Sequence, residues 1–358
     1  MLRQGAEVKI FTPRYREGMF DIGRDLDIEE VRFPIPPLFD LYYDMILAKR
    51  LVSVAAKWAD VLILHDGQPI ASSLMRKYST PCIPFFHNDR WDWDLFGPLR
   101  LIAPVYTRPL NAIELRSLRE CPIIFANSRS LMNTIHRHES SANIVPITIG
   151  VDTDRFYPDW GKDDGFIMMA GRFHPMNNFE LGIRAISETP HRLLIAGIIE
   201  NRYLWYYRRL KEIVSSTSDL CDRVSFKTLT EKALIENYRR CSLFLSPRVF
   251  EYLGHAALEP MACGKPVIAS ETNTPLEDEP PVLVCPNNVA RWRETLLDLM
   301  DDPIGRRDIG KKSYEFVEQK HSLRMTVAQM LQSITSLLQF RGLKTPAIAS
   351  KHTVEIFN

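Results

Sequence analysis

Short apolar, β-rich runs alternate with helix-length segments along this chain, and that alternation limits the fold more than any other feature. In the second half the runs are Phe166–Ala170, Arg192–Ala196, Arg223–Lys227, Ser242–Ser246, Pro266–Ser270 and Pro281–Cys285. Between them lie 178–188, 202–216, 231–240, 254–263 and 290–301, each polar-faced and long enough for a helix. Within 178–188, Phe179, Ile183 and Ile186 fall at i, i+4 and i+7, one buried stripe. This pattern predicts an α/β fold of parallel strands joined by crossover helices, a doubly wound sheet. The first half repeats it less regularly, with runs at Val8–Phe11, Val31–Phe33, Val61–Leu64, Cys82–Phe86, Ile123–Asn127 and Asn143–Ile149. Pro34, Pro36 and Pro37 predict a loop. Residues 315–340 read as one further helix, and the tail from Arg341 shows no periodicity.

A chain of 358 residues exceeds one ordinary domain, and two are expected at about 150 residues each. The join is placed near Tyr157–Gly165, where apolar residues thin out and turn formers cluster. The expected organisation is therefore 1–158, 159–315, a C-terminal helix over 316–340 packing back toward the first domain, and a loose tail over 341–358. Two doubly wound domains in one chain place ligands at the carboxyl ends of the strands, in the cleft between them.

With 45 Lys and Arg against 44 Asp and Glu, no global field draws the protein onto nucleic acid. No apolar run approaches the ~20 residues of a membrane-spanning helix, and the N-terminus carries no apolar signal core. The six cysteines are 20 to 100 residues apart with no Cys-x-x-Cys pair, which argues against a zinc site or a disulfide framework and suits a cytoplasmic setting.

The segment richest in chemistry is Ser246–Ser270, SPRVFEYLGHAALEPMACGKPVIAS. A strand ends at Ser246, a loop carries Glu251, and Gly254 turns the chain into a helix holding Glu259. The first amides of that helix, Gly254, His255 and Ala256, form a seat for phosphate. Two solvated glutamates on a surface helix would give the same pattern. Three Asp-x-Asp triplets, 25–27, 92–94 and 152–154, follow no clear strand and are read as chance. The stretch Arg90–Pro109, with Trp91, Trp93 and Phe96, is either a packed loop and helix or a peripheral contact with the inner face of a membrane.

Ser246–Ser270 resembles the E-x7-E signature of the retaining family 4 glycosyltransferases, which have the GT-B fold of two Rossmann-like domains facing a cleft. The match runs through Glu251, Gly254, Leu258, Glu259, Met261–Gly264, Pro266–Ile268 and Ser270. Further landmarks follow in family order. Gly150-Val151-Asp152 with Phe156 and Pro158 resembles the link into the second domain, and Gly171-Arg172-Phe173 with Asn178 the phosphate loop. His65-Asp66 and His87 fall at strand ends where the family carries histidines, and Ala126-Asn127-Ser128 resembles its strand-then-serine step.

The resemblance implies a sugar moved from a nucleotide diphosphate sugar, UDP- or GDP-linked, to a glycan, lipid or small-molecule acceptor with retention. It implies no metal and no cofactor beyond that co-substrate. Arg172 and Gly171 would hold the diphosphate with Gly254, His255 and Asn177; Glu259 would accept ribose hydroxyls; Glu251 would face the donor sugar, and His87 would line the sugar or acceptor side.

Two departures matter. Asn177 stands where the family usually has a lysine on the diphosphate, a loss worth ~1.5–3 kcal/mol unless Lys265 or Arg248 compensates. The family's first strand and Gly-Gly loop have no counterpart before Leu2–Phe11, so the first domain is expected to lack its central strand and a longer form is expected to exist. These departures motivate the alternative, a non-catalytic GT-B scaffold or partner subunit of a glycosyltransferase.

Overall fold

The structure, a computed structural model, describes residues 7–13, 27–31, 52–65, 76–78, 80–87, 103–249, 254–271, 279–340 and 353–356. In chain order the strands and helices of the first half are β1 (Val8–Pro13), β2 (Asp27–Val31), β3 (Val61–His65), β4 (Cys82–Phe86), α1 (Ala103–Glu120), β5 (Ile124–Ala126), α2 (Arg129–His138) and β6 (Ile144–Pro146). Then follow β7 (Phe166–Ala170), α3 (Phe179–Ile186), β8 (Arg192–Ala196), α4 (Leu204–Ser215), β9 (Val224–Lys227), α5 (Glu231–Arg240), β10 (Leu243–Ser246), α6 (His255–Ala262) and β11 (Val267–Ser270). The chain closes with β12 (Leu283–Cys285), α7 (Val289–Asp301), α8 (Pro303–Lys320), α9 (Leu323–Phe340) and β13 (Thr353–Ile356).

The chain divides into two compact units, residues 1–148 with 327–358, and residues 149–326. The expected boundary at 158/159 thus falls inside the second unit. The reason is a short bridge: Val151 N donates to His321 O and Leu323 N to Val151 O, while Phe156 is buried in the second unit's core.

In the first unit seven parallel strands run in the order β2-β1-β13-β3-β4-β5-β6. Both faces of the sheet are covered at β3 and β4, so these two strands are buried along their whole length rather than alternating. Leu62 and Leu64 of β3 join one core with Leu118, Leu131 and Ile135, whereas Val61 and Ile63 face Met330, Ile334, Leu337 and Leu338 of α9. The second unit repeats the plan with six parallel strands in the order β12-β11-β10-β7-β8-β9. Ile167 and Met169 of β7 face one core and Met168 the other.

Two sequence expectations are corrected. The tail over 341–358 is not loose throughout: β13 pairs with β1 on one side and β3 on the other, in the middle of the first sheet. The central place expected to be vacant is therefore filled by a strand from the other end of the chain. Residues 315–340 are not one helix; the chain breaks at His321 and Ser322, where the bridge to Val151 replaces intrahelical bonds. The strand expected at Val31–Phe33 meets β2 (Asp27–Val31) at Val31, and Arg32 and Phe33 lie outside the described residues.

Candidate functional site

In the second unit the carboxyl ends of β7, β8, β10 and β11 carry a set of loops tied to one another. Gly171 follows β7 with φ +148°, a conformation open to glycine, and Gly197 follows β8. A Cβ on Gly197 would collide with the Gly171 carbonyl oxygen, so the two loops meet backbone to backbone. Phe173 anchors the first loop, buried with edge-on rings from Phe179 and Tyr207. Val249 N donates to Met176 O at 3.0 Å, and Ser270 Oγ donates to Arg248 O, which ties the β10 and β11 loops to the first.

Three cations expected to bear on phosphate are placed differently. Arg172 is 62% exposed and rests on Glu200, with Nη1 to Oε1 at 3.3 Å. An exposed pair of this kind is worth ~0–1 kcal/mol, so Glu200 holds the guanidinium only weakly. Arg248 lies over the start of α6: a Cβ on Gly254 would stand 2.8 Å from its Nη1. Lys265 is buried at the amino end of β11, where Nζ donates to Lys162 O at 3.1 Å. It serves the opposite edge of the sheet, so of the two residues considered as substitutes only Arg248 reaches the loop cluster.

Asn177 is a brace. Its Nδ2 donates to Arg172 O at 2.6 Å and fixes the backbone that carries the guanidinium. Gly254 occupies the N-cap position of α6, and His255 is its exposed first residue. Intrahelical bonding starts with Ala257 N to Gly254 O, which leaves the amides of 254–256 ahead of the ladder. Glu251 lies outside the described residues.

Glu259 sits in α6 with one oxygen, Oε2, accepting from Tyr238 Oη at 3.2 Å. Burial pushes its carboxyl up to about 7, with Tyr238's hydrogen bond and Arg155 pulling the other way and Glu231 adding to the rise. Tyr238 was not anticipated from sequence. Its partner stands 21 residues away, and only the fold brings α5 against α6.

In the first unit His65 ends β3 and His87 follows β4. Parallel register pairs His65 with Phe85, and His87, two residues on, returns to the same face. His65 Nδ1 and His87 Nε2 are 2.6 Å apart. The ring centroids are 4.9 Å apart and the planes differ by 4°. That separation is the N···N distance plus both full ring radii, the largest it can be, so the imidazoles lie edge to edge in one plane and share an N–H···N bond. Burial, and then the neighbouring His87, lowers His65 to about 3, so it stays neutral. Asn127 Nδ2 donates to His87 O at 2.7 Å, and Phe85's ring lies 4.3 Å from His87's. The Asn127-Ser128 step thus does two jobs, because Ser128 Oγ also caps α2 by accepting from Leu131 N.

The family profile described as "Glycosyl transferases group 1" matches residues 151–316, and that of "Glycosyltransferase Family 4" matches residues 1–155. The D-inositol 3-phosphate glycosyltransferase of Kineococcus radiotolerans is 26% identical over 87% of this chain and 82% of its own length. Three other bacterial enzymes of that name are matched over 56%, 47% and 65% of their length. Among solved structures, sucrose-phosphate synthase from Thermosynechococcus elongatus superposes with a TM-score of 0.78 at 20% identity, over 95% of this chain and 91% of that one. Anabaena Alr3699/HepE in complex with UDP superposes with a TM-score of 0.71 at 14% identity, over 92% and 100%. Two adjoining family profiles and a shared GT-B architecture lead to one assignment: the chain belongs to the family 4, group 1 glycosyltransferases.

Proposed function

We propose that this chain moves a sugar from a nucleotide diphosphate sugar to an acceptor with retention of configuration and without a metal. The observation that carries the reading is the loop cluster at the carboxyl edge of β7, β8, β10 and β11. It places the Gly171–Arg172 turn, the Arg248 guanidinium and the α6 amides around one region. Two guanidiniums and a helix N-terminus supply the positive charge that a diphosphate leaving group needs. Glu259 then accepts from the ribose, and Glu251 faces the donor sugar, offering negative charge to an oxocarbenium-like centre. On a single-face route the leaving phosphate itself takes the acceptor's proton, and His87 orients the sugar or acceptor. The Anabaena relative's complex with UDP supports a uridine nucleotide as the first ligand to try.

The reading is tested by sugar transfer from UDP- and GDP-linked donors with wild type and Arg172→Ala. Transfer that falls at least tenfold in the variant, the worth of one charge-assisted contact, supports it. Nucleotide binding without transfer from any donor would instead favour the scaffold alternative.

A further inference from the structure

Tyr238 is 1% exposed, and its ring is boxed by Phe244, edge-on at 5.8 Å, and by Phe156 at 6.4 Å. Burial and the charge of Glu259 raise its phenol well above the ordinary range, so the O–H remains a donor at any working pH. A fixed ring with a permanent proton makes a fixed donor. It points at one oxygen of a carboxylate whose other oxygen, Oε1, accepts from no group among the described residues. Glu259 itself is only half-buried, so part of the carboxylate stays open to a ligand. The remaining groups around it are Arg155, from the segment ahead of β7, Glu231 on α5 and Cys263 just past α6. Arg155 is paired with Glu231, so its attraction for Glu259 is shared with a second carboxylate.

We propose that Tyr238 is a positioning residue for nucleotide binding: its phenol holds Oε2 of Glu259, so that Oε1 is aimed at the vicinal hydroxyls of the ribose. The inference rests on the nucleotide-sugar reading above. The bond does two things at once. It sets the rotamer of the carboxylate, and it favours the ionised form, the one able to accept two hydroxyl protons. A diol that donates to an ionised carboxylate links nucleotide affinity to the titration of Glu259.

The test is calorimetric titration of the full chain with UDP and GDP across pH 5.5 to 9, for wild type, Tyr238→Phe, Glu259→Gln, the double variant and Phe244→Leu. Tyr238→Phe keeps the packed ring and removes only the donor. Its expected effect is about a tenfold loss of affinity at neutral pH, with the midpoint of the pH dependence about one unit higher. In the Glu259→Gln background the same change is expected to have no effect. Phe244→Leu lowers the melting temperature yet keeps the midpoint, which separates positioning from packing. Tyr238→Phe with wild-type affinity and midpoint, beside a Glu259→Gln that binds weakly, overturns the proposal alone. Wild type binding neither nucleotide, or Glu259→Gln binding normally, overturns the underlying reading and the proposal with it.

Discussion

His65 Nδ1 and His87 Nε2 share one in-plane hydrogen bond of 2.6 Å at the ends of two adjacent parallel strands. The bond needs one N–H and one lone pair, and burial keeps His65 neutral within the fold, at a stability cost readable by pH. Folding lowers the ring from the ordinary 6.5 to about 3. The unfolded chain therefore takes up a proton first as the pH falls. The contribution is full above pH 6.5 and is lost progressively toward 3. Replacement His65→Gln removes this proton uptake, so the loss of stability between pH 6.5 and 4 becomes shallower than in wild type. Urea unfolding at several pH values reads it, and an unchanged slope would mean that the ring ionises within the fold.

Arg248 and Lys265 make a paired prediction, because the sheet separates them. Arg248→Ala removes a guanidinium beside Gly254 and is expected to weaken nucleotide binding by about ten- to a hundredfold. Lys265→Ala removes the bond to Lys162 O and is expected to lower stability while leaving affinity within twofold. Equal losses of affinity in both would contradict the placement.

Gly197 is required by a backbone approach. In Gly197→Ala the new methyl meets the Gly171 carbonyl, which has no flexible end to move aside. In Gly182→Ala it meets the thioether of Met169, which does. Chemical denaturation should therefore show the first losing about 1–3 kcal/mol and the second clearly less. The reverse order would show that the two loops do not touch.

The strand β13 takes the central place between β1 and β3, with Thr353 opposite Val61 and Ile356 opposite Leu64. Ending the chain after Phe340 removes that ladder and leaves two strands with unpaired backbone groups. Hydrogen exchange is expected to show lost protection over 61–65, while β7 and β8 keep theirs. Unaltered exchange at β3 would remove β13 from the sheet.

The strands of the second half were legible because buried parallel strands are apolar throughout and are bounded by polar helices. Phe166–Ala170 and Arg192–Ala196 coincide with β7 and β8. The first half was less so. β2 carries Asp27, Glu29 and Glu30, and its charge hides it from any apolar count. The break at His321 and Ser322 leaves no glycine or proline in the sequence, since a long-range bridge to Val151 makes it. Four residues of β13 are too few for a period to declare itself. Motif spacing singled out Gly171, Arg172, Gly254 and Glu259 as candidates, but not what their neighbours do. The sequence did not show that Asn177 braces the Arg172 backbone, or that Lys265, read as a substitute, lies at the amino end of β11.

The central claim is that the carboxyl edge of the second sheet binds a nucleoside diphosphate through Arg172, Arg248 and the start of α6. Thermal unfolding of the full chain with UDP, GDP and ADP tests it most directly. At 100 times its dissociation constant the right nucleotide should stabilise the fold by about 2.7 kcal/mol. Arg172→Ala and Arg248→Ala should each reduce that shift. No shift with any of the three, in a chain that unfolds cooperatively, would contradict the account.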